Sequence, residues 1–600
     1  MSKMERKHPY LMGNFAPIHT TLSSRPCRFK GTIPEEFLGG QYVRNGGNPL
    51  QRDTERDLHW FDGDGMLTGV YFQRIPGSPG VQPVFTNQYI LTDIHCAARR
   101  DHWIYPILPS VATLADPTSF SLRILLEVLR SMIVIFASIW GFIGWPIKRI
   151  SSANTNIVHH DGRMLATNEV GPPMRVLLPL LKTVGWFTGT RAEGESGDAD
   201  NSGSQFGGPG IDGLFQEMTT AHPRVDPHTQ ELLLFHSTFV PPFVNYSIVP
   251  AKKSLANRTC FNRPIPGLVS GKLMHDFGVS RQHTVIIDLP LSLDPANLIR
   301  GKSVVEYDPC GQTRIGVFPR YLPELIRWYE TSACVVMHTV NSWDEKFLDG
   351  MRINMLLCRM NSVAPLYHMG NLDVPNTVRQ SEPECRLYYY QFPPCESEFS
   401  QISRQWALSA IPFEFPCMPP HLEMTQTRFV YGCSMRNGNF ATSFVSSIKI
   451  DCLVKVDLQR LLAQAKADPP PQVDGCVDKR SVSEILESEN DDDPIRIFAF
   501  PEGWYAQECS FVPRDDAKSE DDGWLVTFVF DESQLDQNGE VTYGSRSELW
   551  VIDATGMKDV VCRVILPQRV PYGMHGGWFS EKQILNQRDV NQVREEVYTR

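Results

Sequence analysis

Along most of this chain, apolar residues come in short runs rich in Val, Ile, Phe and Tyr, separated by turn residues. Such runs stand at Met66–Phe72, Val84–Leu91, Glu231–His236, Thr284–Leu289, Cys334–His338 and Leu387–Gln391. They continue at Arg428–Tyr431, Lys449–Val456, Trp524–Phe530, Leu549–Ile552 and Val560–Leu566. Most have the length of an ordinary strand. Pro (45) and Gly (43) punctuate the whole length. The pattern predicts an all-β protein. Many short strands at regular spacing suit a sandwich, a barrel or a propeller. At 600 residues the propeller fits best, because it adds blades without adding open edges. No tandem motif marks the blades.

Four segments break the pattern. Leu458–Lys466 predicts a short helix, stopped by Pro469–Pro471. Glu193–Gly210 is rich in Gly, Ser and Asp and predicts a mobile loop. Glu487–Asp493 is an acidic run, expected on a solvated face. Residues 119–150 are strongly apolar, and Ser131–Ile147 carries no charge. A spanning helix needs about 20 apolar residues, and Gly141, Gly144 and Pro146 interrupt this one. Trp140 and Trp145 suit an interface, with Arg123, Arg130, Lys148 and Arg149 beside them. The reading is an insertion that dips into one face of a membrane. A buried core helix and a true span are the alternatives. The expected layout is an N-terminal extension over 1–30 and one propeller domain over 31–600.

Hydrophobic residues make up 42% and charged residues 21%, enough for a full core. A net charge of −11 argues against nucleic acid, which needs a basic footprint. Among 14 cysteines the nearest two are Cys385 and Cys395, so no CxxC pair exists and a zinc ribbon is excluded. Such scatter reads as free thiols in a reducing compartment. Met1–Tyr10 is polar and lacks the apolar core of a secretory signal. A cytoplasmic protein, peripherally attached to membrane, is expected.

Of sixteen histidines, four stand out: His222 in Thr-Ala-His-Pro-Arg, His275 in Leu-Met-His-Asp-Phe, His338 in Val-Met-His-Thr, and His575 in Gly-Met-His-Gly-Gly. Several fall at ends of predicted strands, where side chains from separate blades can converge on an axis. Four neutral imidazoles would suit iron, copper or zinc. A single histidine in a β protein is usually structural, and only the joint contexts lift these above that reading. His159 and His160 look like a metal pair, but adjacent strand residues point to opposite faces. Asp62 and Asp64 read as turn carboxylates.

Those contexts resemble the carotenoid cleavage oxygenase family over about Gly31 to Phe579. The resemblance also rests on Gln41–Pro49 (Gln-Tyr-Val-Arg-Asn-Gly-Gly-Asn-Pro) and His59–Met66 (His-Trp-Phe-Asp-Gly-Asp-Gly-Met). Gly13–His19, Asn87–Asp93 and Gln568–Gly573 look most similar to the fungal torulene-cleaving branch. The resemblance implies a seven-bladed propeller with a helical and loop cap over the metal face. It implies Fe(2+) on the axis, held by His222, His275, His338 and His575. It also implies three carboxylates behind the ligands: Glu169 with His275, Glu414 with His338, and Glu508 with His575. A carboxylate on the outer nitrogen fixes the tautomer of a ligating imidazole. His222 is left without one.

The activity implied is cleavage of one C=C bond of a carotenoid by O₂, giving aldehydes. No acid, base or nucleophile of the protein is needed beyond the metal site. The protein's part is to hold an apolar rod in a dry channel beside the metal. Stilbene-cleaving relatives carry Lys just before the glutamate that matches Glu169, where this chain has Asn168. A torulene-like carotenoid is therefore expected, ahead of a shorter apocarotenoid or a stilbene. Two further readings are an iron-dependent isomerohydrolase and a carotenoid-binding propeller without activity.

Overall fold

The computed structural model describes residues 8–50, 58–78, 80–116, 121–197, 205–207, 217–252, 260–348, 350–380, 382–395, 400–443, 448–490 and 492–595. The fold is a seven-bladed β-propeller. Its blades are mainly antiparallel sheets of four to six strands, with one separate ribbon of Leu291–Leu293 and Val305–Tyr307. The second blade runs from Asn156–His160 to Lys182–Trp186, and the third from Met218–Thr219 to Cys260–Pro264. The fourth begins at Gly278–Val279, the fifth at Val335–Phe347, the sixth at Glu414–Cys417 and the seventh at Trp504–Ala506. Around part of the axis first strands of neighbouring blades pack side by side, as Val335–Phe347 does with Gly278–Val279 and with Glu414–Cys417.

The ring is closed twice. Gly576–Phe579 at the C-terminal end pairs with Gln41–Arg44 in the first blade, from Gln41 against Phe579 to Arg44 against Gly576. Arg28–Gly31 near the N-terminus pairs with Val560–Ile565 in the seventh. Mutual exchange of end strands leaves no open seam for the ring to slip.

The apolar runs became strands because both faces of a blade are covered by its neighbours. His283–Asp288 and Cys452–Asp457 are buried at every position, which explains the unbroken apolar stretches Val285–Ile287 and Cys452–Val454 within them. The run starting at Cys334 continues to Phe347, well beyond His338. Burial extends into its polar part: Asn341 and Ser342 are inside, with the Asn341 amide donating to the Thr425 carbonyl at 2.8 Å, and the strand emerges only from Asp344 on.

Three expectations need correction. Residues from His8 onward do not form an extension: Leu22–Pro26 and Arg28–Gly31 are propeller strands, and Tyr10 and Phe15 sit in the main core. Those two strands are short and largely exposed, so they carry no apolar signal. The acidic run is exposed at Glu487, Glu489 and Asp492 as expected and Asp491 lies outside the described residues, but Asp493 at its end is buried, paired to Arg480 at 2.6 Å. Of the loop expected over 193–210, residues 198–204 and 208–210 lie outside the described residues. Its Glu195 is buried, paired with Arg163 at 2.5 Å and Arg175 at 2.6 Å.

Of the apolar insertion, residues 119–120 lie outside the described residues. Ser121–Ile139 is a helix. Ile124, Val134 and Ser138 are buried on it, while Leu126, Ile133 and Ile139 face out. Gly141, at φ +80°, turns the chain after it, and the Ser138 hydroxyl accepts from the Ile147 amide at 2.9 Å. Among the described residues no helix is long and apolar enough to cross a membrane. The cations beside it are largely engaged by the protein. Arg130 donates to the carbonyls of Ile104 and Pro106 at 2.7 and 2.6 Å, and Arg149 pairs with Glu217 at 2.5 Å.

Candidate metal centre

The seven blades each deliver one side chain to the axis. The third, fourth, fifth and first supply His222, His275, His338 and His575 beside their first strands or on them. The second, sixth and seventh supply Glu169, Glu414 and Glu508. One residue per blade explains the wide spacing of these positions in sequence.

One ligand atom from each histidine falls within 4.8 Å of the others, and His222, His338 and His575 are buried. Nε2 of His222 stands 3.0 Å from Nε2 of His275, and Nε2 of His338 stands 3.1 Å from that of His575. Behind the rings, Nδ1 of His275 meets Glu169 at 2.6 Å, Nδ1 of His338 meets Glu414 at 2.5 Å, and Nδ1 of His575 meets Glu508 at 3.0 Å. All seven residues expected at the centre come together, in the expected pairs. His222 has no carboxylate on its ring among the described residues.

The carboxylates are themselves held. Glu414 accepts the Phe415 amide at 2.6 Å, and Glu508 accepts the Gly576 amide at 3.0 Å. Phe415 adopts φ +50°, rare for a side chain of this size, and this turns its amide back onto Glu414. Burial would raise Glu169 and Glu508, but the facing imidazoles outweigh it and hold both carboxyls below their usual range. Burial, then the three other imidazoles, keeps His222 well below the ordinary imidazole range.

This donor set fits a metal ion. With each Nδ1–H given to a carboxylate, the Nε2 lone pairs of three histidines face inward. Adjacent ligands on a six-coordinate ion with bonds of about 2.1 Å lie about 3.0 Å apart, the spacing seen between paired Nε2 atoms.

The sequence did not reveal the supports between ligands. Asp276 accepts from Arg224 at 2.6 Å and from the Thr339 amide at 2.7 Å, so it ties together segments carrying His222, His275 and His338. Thr220 accepts the His222 amide at 3.1 Å and donates to the His275 carbonyl at 2.9 Å. Asp276 adjoins a ligand in sequence and Thr220 stands two residues from one, the one signal that could have drawn attention to them. Asp62 acts as a turn carboxylate, accepting the His59 amide at 2.8 Å and the Ser110 hydroxyl at 2.5 Å, whereas Asp64 is buried and pairs with His95 at 3.1 Å. That turn sets Phe61 parallel to the His275 ring, with centroids 6.4 Å apart. His160 is buried and His159 half-buried on Asn156–His160, apart from the four-histidine group.

From His275 and Met337 an apolar cavity of about 1040 Å³ runs outward past Leu289, Leu291 and Val336. At its outer end stand Leu122, Leu125 and Ile299, with Leu122 and Ile299 65% and 91% exposed. A smaller pocket lined by Trp60, Met360, Met369, Phe415 and Met574 continues past the imidazoles.

Residues 15–580 match the family model described as retinal pigment epithelial membrane protein. The chain is 45% identical to the carotenoid dioxygenase carX of Gibberella fujikuroi, over 98% of this chain and 91% of that protein. The chain belongs to the carotenoid oxygenase family. This carotenoid oxygenase is also 28% identical to a carotenoid 9,10(9′,10′)-cleavage dioxygenase of Crocus sativus, over 96% of this chain and 90% of that one. The fold of the lignostilbene dioxygenase of Pseudomonas brassicacearum superposes with a TM-score of 0.65 at 19% identity, over 95% and 98% of the two chains. That of a Synechocystis apocarotenoid oxygenase variant gives 0.64 at 19%, over the same shares. The chain is therefore an oxygenase enzyme with a four-histidine metal group on its axis.

Proposed function

We propose that this oxygenase binds Fe(2+) and uses O₂ to cleave one C=C bond of a torulene-like carotenoid, giving two aldehydes. The observation that carries the reading is an apolar cavity that reaches His275, one of four converging imidazoles. Ferrous iron bound there would supply O₂ activation, each alkene carbon leaving with one oxygen atom. His222, His275, His338 and His575 would hold it, and Glu169, Glu414 and Glu508 would fix three of their rings. The residues of the chain do the rest by shape. Leu289, Leu291 and Val336 give a long polyene an apolar wall, and Phe61 and Met337 bound the space beside the imidazoles. Such a wall excludes water and fixes which bond lies nearest the metal.

A phenolic stilbene is disfavoured at Asn168. Its amide donates to Asn154 at 2.8 Å and offers no cation to a phenolate. A shorter apocarotenoid stands as the alternative substrate.

The substrate dissolves in lipid, so the mouth of the cavity is placed against a membrane in this reading. The outward face of Ser121–Ile139 with Trp140 and Phe142 adjoins that mouth, and Phe142 is 81% exposed. A contiguous apolar patch of this kind gains about 25 cal/mol for each Å² removed from water. The chain acts as a peripheral protein of the cytoplasmic membrane face, where its fourteen unpaired cysteines would stay reduced.

The test is expression in carotenoid-producing cells with identification of aldehydes by mass spectrometry, beside metal analysis of the purified protein. Loss of pigment, torulene-derived apocarotenals and bound iron are expected. Unchanged pigment with an iron-loaded protein would overturn the substrate, and full activity with no iron would overturn the metal.

A further inference from the structure

The mouth of the large cavity is held from a distance. Ser121–Ile139 forms one side of it with Leu122, Ile124, Leu125 and Val128. Ile150, where the insertion returns to the propeller, also lines the cavity, and so does Ile94 of the helix Asp93–Arg100. This helix carries the returning limb at both ends. At its start, one oxygen of Asp93 accepts the amides of Lys148 and Arg149 at 2.9 and 3.0 Å. At its end, Arg100 donates to the Gly144 carbonyl at 2.7 Å, and Asp101 accepts the Gly144 amide at 3.1 Å. Gly144 lies so near Arg100 that a Cβ there would overlap the guanidinium. Ile143 and Ile147 share one buried cluster with Ala97 and Val134.

Asp93 is buried, and a buried carboxylate needs a countercharge. Among the described residues the cation that pairs with it is Arg594, which donates to the other Asp93 oxygen at 2.7 Å. Arg594 stands well beyond the ring-closing strand Gly576–Phe579 and is itself fixed. Its amide donates to the Thr183 carbonyl at 2.8 Å, and its guanidinium to the Leu91 carbonyl at 2.9 Å and to Glu193 at 3.0 Å. Direct contacts therefore run from Arg594 through Asp93 to the backbone just before Ile150. The Arg149 side chain carries them on to Glu217, next to Met218 of the cavity wall. None of Asp93, Lys148, Arg149 and Arg594 lines the pocket at the imidazoles.

We propose that Arg594 is a positioning residue for substrate uptake. By neutralising Asp93 it holds the returning limb of the insertion, and with it the mouth through which an apolar polyene passes from lipid to the metal. Without the guanidinium, the buried Asp93 carboxylate is left unpaired and turns towards water, which frees the amides of Lys148 and Arg149. The mouth then loses its shape while the metal centre keeps its own. Weaker capture with unchanged chemistry raises KM and leaves kcat as it was. The polyene and the lipid rest on the proposed function; the link from Arg594 to the mouth does not.

The test compares the full, metal-loaded chain with Arg594→Gln. Hydrogen exchange is followed at the Lys148 and Arg149 amides, with the Gly576 amide at the metal centre as reference. Uptake of diphenylhexatriene, an apolar rod, from phosphatidylcholine liposomes is followed by energy transfer from the protein's tryptophans. KM and kcat are measured for torulene in the same liposomes. In Arg594→Gln, exchange at both amides should quicken at least about ten-fold, with Gly576 and metal content unchanged. Uptake should slow and KM rise by about ten-fold, with kcat unchanged. Adding Asp93→Asn removes the charge that needs a partner, so the double variant should regain most of the loss. Unchanged exchange or unchanged uptake would overturn the proposal. So would loss of metal or a fall in kcat, either of which would make this segment a support of the core. Failure of the unaltered chain to cleave torulene is failure of the substrate reading alone. Exchange and uptake need no cleavage and decide the role of Arg594 in either case.

Discussion

His338–Glu414 on the propeller axis and His283–Asp344 between the fourth and fifth blades are built alike. In each, Nδ1 of a buried imidazole meets a carboxylate, at 2.5 Å and 2.7 Å. They differ in what faces the other nitrogen. Nε2 of His338 meets Nε2 of His575 at 3.1 Å, within a set of four imidazoles. Among the described residues His283 belongs to no such set. The carboxylate therefore does not decide what an imidazole does. It fixes the ring and makes the far nitrogen more basic, and the opposite neighbour then selects metal binding or a cationic hydrogen bond.

Removing the far nitrogen on the axis should have the largest effect. His338→Ala is expected to lose bound metal and to lower cleavage by more than about 100-fold. Glu414→Gln keeps the ring in place but weakens its acceptor. It should keep the fold and lose roughly 10–100-fold in metal affinity or rate. Metal titration and product yield, measured on both variants, check the order. Equal losses would mean that the carboxylate does more than orient the ring.

The metal centre can also be separated from the cavity that feeds it. Ile133, Phe136, Ile139 and Trp140 are exposed and lie outside the main core. Replacing all four with Ser removes apolar area from the surface only. Binding to liposomes should fall roughly ten-fold, by the area coefficient, with cleavage of membrane-embedded carotenoid falling in step. Cleavage of a detergent-dispersed apocarotenal should stay unchanged. Ile135 is left in place because it packs against the buried cluster that holds Ile104 and Ile147. Flotation together with the two activity assays checks this. Loss of metal in the variant would show that the helix supports the core.

The four histidines and three glutamates could be read from the sequence because each sits in a short run of distinctive neighbours, such as Met-His in three cases. The blades could be read because their inner strands are continuously apolar. The supports could not. Asp276, Arg224 and Thr339 meet across three blades, and beyond lying next to or near a ligand in sequence nothing signals that they meet. His283 and Asp344 share no motif, and Asp344 lies where a strand was not expected to continue. The strands Leu22–Pro26 and Arg28–Gly31 escaped notice because closure depends on backbone pairing, which leaves no side-chain pattern when the strand faces solvent.

The smallest effect on activity, and the sharpest test of the comparison, is expected at His283. Its folded value of about 9 lies above the ordinary imidazole value of 6.5. A group raised on folding binds its proton more tightly in the native state, so it stabilises the fold when protonated. That contribution is complete below about pH 6.5 and is lost as pH rises towards 9. Asp344 supplies the larger share, Cys395 the rest, and Ser280 and Gln282 hold the carboxylate through neutral hydrogen bonds. Asp344→Asn should therefore be less stable than the unaltered chain at pH 6, by on the order of 1–3 kcal/mol. The difference should narrow as pH approaches 9.5, while cleavage activity stays the same at both. Urea unfolding at pH 6 and pH 9.5 measures this. A difference independent of pH would mean that Asp344 acts by packing alone, and that His283 is not held as a cation. The two imidazole–carboxylate pairs would then carry the same charge at the ring and differ only in the group opposite it.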